Sequence, residues 1–260
     1  MSPLDKIIKR VRILSVFSTP FDFLKYRKLS GNKLINSKDV SLGIREAKNK
    51  VVLRPNTRDG VVFWDTFYNK YHIPPVQLRD DAIIVDLGAN VGYTMVHFAH
   101  IYPKSHIYGV EMDFDNFMLA KKNLNDLGEQ CMLIHSAVWS DDGHIKYDKN
   151  MHESGYHVQY NDSQKEKSIL REVPAKSLNT IFSEFNLKRV DYLKMDIEGA
   201  EKFVLEKPDK WINIVRMMKI EVHPPADLDI CLQTLKKYGF RCYKDDKHWS
   251  AIVAIKDEIQ

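Results

Sequence analysis

Acidic residues and glycines follow the first regular apolar segment of the chain. Asp86 lies near the end of AIIVDLG at 82–88, and Gly88 and Gly92 belong to the turn VDLGANVGYT at 85–94. Glycines at such a turn let the backbone approach a ligand closely, and the amides of the following helix can donate to it. Three residues separate the two glycines, so the dinucleotide fingerprint Gly-x-Gly-x-x-Gly is absent. A methionine-derived cofactor, which has no pyrophosphate, fits this turn.

The ends of the next two apolar segments supply further candidate contacts. Glu111 lies near the end of HIYGVEM at 106–112, about 20 residues beyond the turn, where a carboxylate can accept both hydroxyls of a ribose. Ser136 and Ala137 lie in CMLIHSAV at 131–138, where they either line an adenine pocket or pack in the core. The predicted cofactor-binding residues are Asp86, Gly88, Asn90, Gly92, Tyr93, Thr94, Glu111, Ser136 and Ala137.

Two later segments end in groups suited to proton transfer. Asp196 emerges from VDYLKMDIEG at 190–199, and His223 follows IVRMMKIEV at 214–222. Transfer of a group to a hydroxyl requires in-line placement and removal of the hydroxyl proton. Imidazole titrates near neutrality and is therefore the better matched base, whereas the aspartate could take the proton, orient the hydroxyl or hold an amine of the cofactor. We predict Asp196 and His223 as the catalytic residues.

Polar residues near this pair are candidates for binding the acceptor. Lys194 and Glu221 each lie two residues before a predicted catalytic residue, on the same face of their strand, and Glu198 lies in the turn that follows. The polar stretch 139–172, interpreted as a loop and β-ribbon over the site, contains His152. The predicted acceptor-binding residues are Lys194, Glu198, Glu221 and His152. The histidines lack metal-ligand spacing, so no metal is predicted.

Alternating strands and helices from residue 81 onward position these groups. The alternation predicts an α/β fold with a doubly wound, mostly parallel, seven-stranded sheet, closed by an antiparallel pair at the C-terminal end. Residues 1–75 are predicted as an N-terminal extension with a basic amphipathic helix, a β-hairpin at 40–54 and an aromatic helix at 61–71. Residues 76–260 are predicted as the cofactor-binding domain.

Five motifs together resemble the FkbM family of S-adenosylmethionine-dependent methyltransferases: VDLGANVGYT, VEMD, HSAVWSDDG, VDYLKMDIEGAE and IEVH. The most specific is LKMDIEGAE at 193–201, and RPNTRD at 54–59 is similar to the family's Arg-Pro-x-Thr-x-Asp segment. Met112 departs from the family, which usually has proline there. The resemblance covers residues 50–225. It implies a class I, Rossmann-like methyltransferase fold, S-adenosyl-L-methionine as cofactor, and O-methylation of a sugar, glycolipid or secondary-metabolite hydroxyl.

Three alternatives stand beside this interpretation. A nicotinamide-dependent oxidoreductase shares the fold and the acidic strand end, but the glycine spacing argues against it. Nucleic-acid N-methyltransferases typically carry Asn/Asp-Pro-Pro-aromatic after the fourth strand, where this chain has the sequence MDIE at 195–198. A methyltransferase-like scaffold without activity is disfavoured because Asp86, Gly88, Gly92, Glu111 and Asp196 are all present.

Composition sets limits on partners and compartment. Of 260 residues, 44% are hydrophobic and 28% charged, as in ordinary globular proteins. A formal net charge of +4, from 39 Lys and Arg against 35 Asp and Glu, does not indicate a nucleic-acid partner. Cys131, Cys231 and Cys242 have no paired spacing and are predicted to be buried thiols in a reducing compartment.

The N-terminal segment raises the question of membrane contact. No apolar run approaches the roughly 20 residues that span a bilayer, and basic residues interrupt any secretory signal. Leu4, Ile7, Ile8, Val11 and Leu14 follow helical spacing, with basic residues off that stripe. Such a helix either packs on the main domain or lies on an anionic membrane surface. We expect a cytoplasmic protein, with possible peripheral contact at the inner face of the membrane; its oligomeric state stays open.

Overall fold

A computed structural model describes residues 5, 11–30, 38–148 and 170–256 of the chain. The helices are α1 (Pro20–Ser30), α2 (Asp59–Trp64), α3 (Tyr93–Ile101), α4 (Phe114–Leu124), α5 (Leu178–Glu184), α6 (Glu201–Glu206) and α7 (Leu228–Lys237). A π-helical turn covers Asp65–Asn69, and 3-10 turns cover Asn125–Gln130 and Lys210–Ile214. The strands are β1 (Val40–Leu42), β2 (Val51–Leu53), β3 (Ile83–Leu87), β4 (His106–Glu111), β5 (Cys131–His135), β6 (Ala137–Val138), β7 (Gly143–Asp148), β8 (Leu170–Lys176), β9 (Tyr192–Met195), β10 (Met217–Glu221), β11 (Phe240–Lys244) and β12 (Ala251–Lys256).

Seven strands form the central sheet, in the order β11-β12-β10-β9-β3-β4-β5. The five strands from β10 to β5 are parallel, whereas β12 is antiparallel to both β10 and β11. The predicted doubly wound, mostly parallel sheet with a closing antiparallel pair is therefore confirmed. Strand order reverses between β3 and β9, and open α/β sheets bind ligands at the carboxyl ends of strands at such a point.

The prediction of one continuous strand over 131–138 is wrong. Strand β5 lies in the central sheet, whereas β6 pairs with β8 in a separate three-stranded sheet. The chain changes sheets at Ser136, whose hydroxyl donates to the carbonyl oxygens of Ala137 and Pro174, both at 2.9 Å. Strands β7 and β8 form an antiparallel ribbon within the stretch predicted as loop and ribbon. His152 lies outside the described residues.

Aromatic packing joins the N-terminal elements to the sheet. Strands β1 and β2 form the predicted antiparallel hairpin, and helix α2 with the π-helical turn forms the predicted aromatic helix. The Phe63 ring lies 5.7 Å from that of Phe17, 5.0 Å from Phe67 and 6.0 Å from Tyr93 on α3, between ring centroids. These buried rings belong to one hydrophobic core with residues of the central sheet. The boundary between residues 75 and 76 stays a prediction.

The RPNTRD segment links this extension to helix α4. Arg54 donates to both carboxylate oxygens of Asp59, at 2.7 and 3.0 Å, and its Nη2 also donates to Asn116 Oδ1 at 2.7 Å. Asp59 is buried, so this ion pair is shielded from solvent on one side. The segment therefore fixes the extension against α4 close to the sheet's ligand-binding edge.

Most of the predicted amphipathic helix lies outside the described residues. Within them, Val11 and Leu14 of its apolar stripe are 62% and 43% exposed, so these two positions do not pack in the core. No helix in the described parts of the chain is long and apolar enough to cross a bilayer. Peripheral membrane contact stays a prediction.

All three cysteines are free thiols. Cys231 is buried, but Cys131 and Cys242 are only partly so, which corrects the expectation that all three are buried. Desolvation raises the pKa of each thiol, to about 12 for Cys131 and about 11 for the other two.

Candidate active site

Two cavities meet at the edge of the sheet where β3 and β9 end. The smaller lies over the ends of β3, β4 and β5. The larger lies between the ends of β9 and β10 and the segment 58–72 of the extension. Both are lined by Gly88, Asn90, Asp196 and Glu198. The arrangement suits two ligands that react where the cavities join.

The smaller cavity has the lining of a nucleoside site. Five of the predicted cofactor-binding residues line it: Gly88, Asn90, Glu111, Ser136 and Ala137. Val110, Met112, Val138 and Ile145 supply apolar surface around a single buried carboxylate, that of Glu111. An aromatic base requires apolar walls and a ribose requires acceptors for its hydroxyls, so these residues fit a cofactor that carries an adenosine.

Backbone amides fix the Glu111 carboxylate. Its Oε2 accepts from the Asn90 amide at 2.8 Å and its Oε1 from the Asp113 amide at 2.7 Å. Burial raises the pKa of Glu111 to about 7, although both amide hydrogen bonds oppose the rise. Each carboxylate oxygen has a second lone pair, so the group can still accept hydroxyl hydrogen bonds.

Asp86 supports the turn from beneath and does not line the smaller cavity. It is fully buried, accepts a short hydrogen bond from the Thr94 hydroxyl, and lies 3.2 Å from Lys194 Nζ. Burial alone would lower the pKa of Lys194, but the charges of Asp86 and Asp196 raise it above its ordinary value. Asp86 therefore holds the lysine as a cation behind the junction, and its direct contact with the cofactor stays a prediction.

Three other predicted cofactor residues have different surroundings. The Tyr93 hydroxyl donates to the Val52 carbonyl at 2.8 Å, and Gly92 packs closely against Ala120. Tyr93 and Thr94 line the larger cavity, and Gly92 lines neither. These residues shape the turn and one side of the larger cavity, and their contact with the cofactor stays a prediction.

Gly88 allows strand β9's end to approach the turn. It has φ +78°, and a Cβ added there would lie 1.8 Å from the Asp196 carbonyl oxygen. Any side chain at this position would therefore displace the backbone that carries Asp196. The sequence signal at Gly88 thus reflects a close contact between two strand ends.

A buried carboxylate shapes the loop after β9. Glu198 has φ +54°, a left-handed conformation that non-glycine residues rarely adopt. Glu201, with no exposed surface, accepts from the Ile197 amide at 3.1 Å and from the Gly199 amide at 2.9 Å. These two hydrogen bonds hold the strained turn, so that Asp196 and Glu198 both reach the junction.

His223 is also held by Glu201. Its Nδ1 lies 3.0 Å from Glu201 Oε1, and its Nε2 lies 3.5 Å from Glu221 Oε1 and 3.6 Å from Glu198 Oε2. Burial lowers the pKa of His223, but hydrogen bonds to Glu201 and Glu221 outweigh it and raise the pKa to about 11. An imidazolium cannot accept a proton, so this geometry does not support His223 as the base.

The two carboxylates at the junction are both less acidic than usual. Burial raises the pKa of Asp196, and Lys194 Nζ, 3.3 Å from its Oδ2, partly offsets this. Burial and the neighbouring charge of Asp196 raise the pKa of Glu198 to about 8. A carboxylate with such a pKa is a competent general base near neutral pH.

Asp196, Glu221 and His223 also have donor atoms within 4.8 Å of one another, the one such group of potential metal ligands in the described part of the chain. Lys194 and the protonated ring of His223 already place positive charge among these carboxylates. The prediction of no metal stays a prediction.

Sequence reasoning missed the wall of the larger cavity opposite β9. Arg58, Asp65, Tyr71 and His72 line it from the extension, and Lys219 and His248 from the C-terminal part of the sheet. Arg58 belongs to the RPNTRD segment, but no motif marks Asp65, Tyr71 or His72. Only the fold brings them to the site.

Comparison with known proteins connects this site to one enzyme family. Residues 86–242 match the family model described as the methyltransferase FkbM domain. The chain is also 25% identical over 221 residues to the methyltransferase sdnD of Sordaria araneosa, covering 73% of this chain and 83% of that protein.

Solved structures with a similar fold are more distant. A precorrin-6y C5,15-methyltransferase from Geobacter metallireducens is 11% identical with a TM-score of 0.42, covering 70% of this chain and 82% of that one. A putative caffeoyl-CoA O-methyltransferase from Staphylococcus aureus is 13% identical with a TM-score of 0.42, covering 76% and 92%. Similarity at this level says nothing about the acceptor.

The contact at Gly88 leads to a stability prediction. Gly88→Ala should lower the free energy of unfolding by roughly 2–5 kcal/mol, because the new methyl group meets the Asp196 carbonyl and the φ is unfavourable. Chemical denaturation measures the change. Gly143→Ala is the matched control, since an added Cβ there meets nothing within 4 Å. Equal stability of the two variants would contradict the close approach of the strand ends.

Proposed function

The chain belongs to the FkbM methyltransferase family and depends on S-adenosyl-L-methionine, and we propose that it is an O-methyltransferase acting on a hydroxyl of a sugar, glycolipid or secondary metabolite. The main support is the junction of the two cavities at Asp196 and Glu198. One cavity suits the cofactor, the other is large enough for an acceptor, and two candidate bases lie between them. The family match also argues against the alternative of a nicotinamide-dependent oxidoreductase.

The base in this proposal is Glu198. When bound, the cofactor supplies an already activated methyl group, so the protein must chiefly position the acceptor hydroxyl and receive its proton. Glu198 has a pKa of about 8 and lines both cavities. His223, as a cation 3.6 Å away, stabilises the ionised form of Glu198.

Asp196 and Lys194 act as an orienting pair in the same scheme. The lysine Nζ lies 3.3 Å from the Asp196 carboxylate and 3.4 Å from the Gly88 carbonyl oxygen. The carboxylate is thereby fixed at the junction, where it can accept a hydrogen bond from the acceptor hydroxyl or from the cofactor's amine. Removing it is expected to impair positioning more than proton transfer.

The reaction itself can be tested with labelled methyl donor. The purified protein is incubated with the donor and a panel of glycans, glycolipids and small hydroxylated metabolites, and NMR of the product identifies the methylated atom. We expect an O-methyl ether. Methylation only at nitrogen or carbon would contradict O-methyltransfer, and a donor that binds without any transfer would favour an inactive scaffold. Repeating the assay after chelation tests the prediction of no metal.

Glu111 should determine affinity for the cofactor. Glu111→Gln is expected to weaken binding of S-adenosylhomocysteine by about 1–3 kcal/mol, the range for a lost hydrogen bond to a charged group. Calorimetric titration measures the change, with the exposed Glu129→Gln as control. Unchanged affinity in Glu111→Gln would exclude this carboxylate from the ribose site.

The pH dependence of turnover should report the base. A carboxylate accepts a proton only when ionised, so the wild-type rate should rise with pH through about 8, the pKa of Glu198. Glu198→Gln should lower turnover at least roughly 100-fold and abolish the rise, with cofactor affinity retained. Glu206→Gln, exposed at the end of α6, is the control. A rise that persists in Glu198→Gln and vanishes in Asp196→Asn would assign the base to Asp196.

A further inference from the structure

A buried histidine outside the predicted site lines the larger cavity. His72 is 4% exposed, and its Nε2 lies 2.8 Å from His97 Nδ1. Its other ring nitrogen, Nδ1, is buried and has no hydrogen-bond partner among the described residues. Buried polar atoms without partners are rare in native proteins, so this nitrogen calls for an explanation.

The hydrogen bonds continue from His72 to the surface. The side chain of His97 has no exposed surface, and its Nε2 lies 3.1 Å from Glu46 Oε2. Glu46 is 38% exposed and pairs with Lys70 at 2.7 Å. The hydrogen bond from His97 lowers the pKa of Glu46 to about 2, although burial opposes this, so the carboxylate is ionised.

The ionised carboxylate determines which nitrogens carry protons. Glu46 can only accept, so His97 Nε2 is the donor. Burial lowers the pKa of His97, with Glu46 opposing, and that of His72 well below its ordinary value, so both rings are neutral. A neutral imidazole has one protonated nitrogen. His97 Nδ1 therefore accepts from His72 Nε2, and His72 Nδ1 is left as an unprotonated acceptor.

The two lysines that line the cavity do not form a site for an anion. Lys194 lies between Asp86 and Asp196, and Lys219 pairs with Asp245 at 2.8 Å and donates to the Tyr71 carbonyl at 2.8 Å. Both lysines are thus already paired and do not form an anion site. The carboxylates of Asp65, Glu198 and Glu221 line the same cavity as acceptors.

We propose that His72 Nδ1 binds a second hydroxyl of the acceptor, and that the enzyme therefore selects a molecule carrying at least two hydroxyl groups. One hydroxyl lies at the junction to be methylated, and another donates to His72. His97 and Glu46 act as positioning residues that fix the tautomer of His72. This inference rests on the proposed O-methyltransferase function and narrows its substrate class.

Nitrogen NMR on the wild-type protein tests the tautomer and the contact without turnover. In ¹⁵N-histidine-labelled protein saturated with S-adenosylhomocysteine at neutral pH, His72 should show a protonated Nε2 and a bare Nδ1. Adding myo-inositol, an uncharged cyclic polyol, should shift the Nδ1 resonance, and cyclohexanol, with one hydroxyl, should shift it far less. The proposal is overturned if Nδ1 carries a proton. It is also overturned if the Nδ1 resonance does not shift at any inositol concentration up to the solubility limit.

Matched variants test the same contact by affinity. His72→Phe keeps a ring of similar size without the acceptor nitrogen and should weaken inositol binding about three- to ten-fold, the effect of one lost neutral hydrogen bond. His100→Phe, at an exposed position on α3, should leave it unchanged. Glu46→Leu removes the acceptor of His97, so the tautomer of His72 should no longer be fixed and inositol binding should weaken. Glu46→Gln can still accept from His97, so this variant should keep the wild-type tautomer and inositol affinity.

These readouts separate the two proposals. Inositol affinity that is equal in wild type and His72→Phe overturns the role of His72, whatever the enzyme methylates. A shifted Nδ1 resonance in a protein that methylates only nitrogen or carbon overturns O-methyltransfer and leaves the polyol contact standing. If His72→Phe does not fold, the wild-type NMR measurement still decides.

Discussion

One buried carboxylate, that of Glu201, maintains the active-site geometry. It accepts hydrogen bonds from two amides of the loop after β9 and from the ring of His223 on the neighbouring strand end. A carboxylate without solvent contact is costly unless its lone pairs are used, and here three donors use them. The loop conformation, the charge on His223 and the approach of Glu198 to the junction all depend on this group.

Five carboxylates and two cationic side chains lie around the junction of the two cavities. Asp86 and Asp196 flank Lys194, while Glu198, Glu201 and Glu221 surround His223. Carboxylates outnumber the two cations, so the junction is net acidic and suits a positively charged methyl donor. Burial and the charge of Asp196 raise the pKa of Glu198 to about 8, so the proposed scheme uses one acidic site for both cofactor binding and proton transfer.

Local sequence signals predicted the sheet and several residues that line the smaller cavity. They did not predict the protonation states or the wall of the larger cavity formed by the segment 58–72. The apolar segments and the turn at Gly88 predicted the parallel sheet and a ligand-binding turn, because these signals act within a few residues of one another. Asp86 has the expected position at a strand end, yet it contacts Lys194, 108 residues away along the chain. The charge of His223 and the position of His72 beside the cavity depend on such distant partners, which periodicity and spacing do not encode.

The segment 58–72 forms one wall of the larger cavity, and none of its residues lines the smaller one. In the proposed scheme, the segment 58–72 therefore contributes to binding of the acceptor and not to binding of the cofactor. A substitution at a cavity-facing position of this stretch therefore changes the larger cavity without changing any residue that lines the smaller one. Asp59, Phe63 and Phe67 of the same stretch are buried, so such variation is limited to positions outside the core.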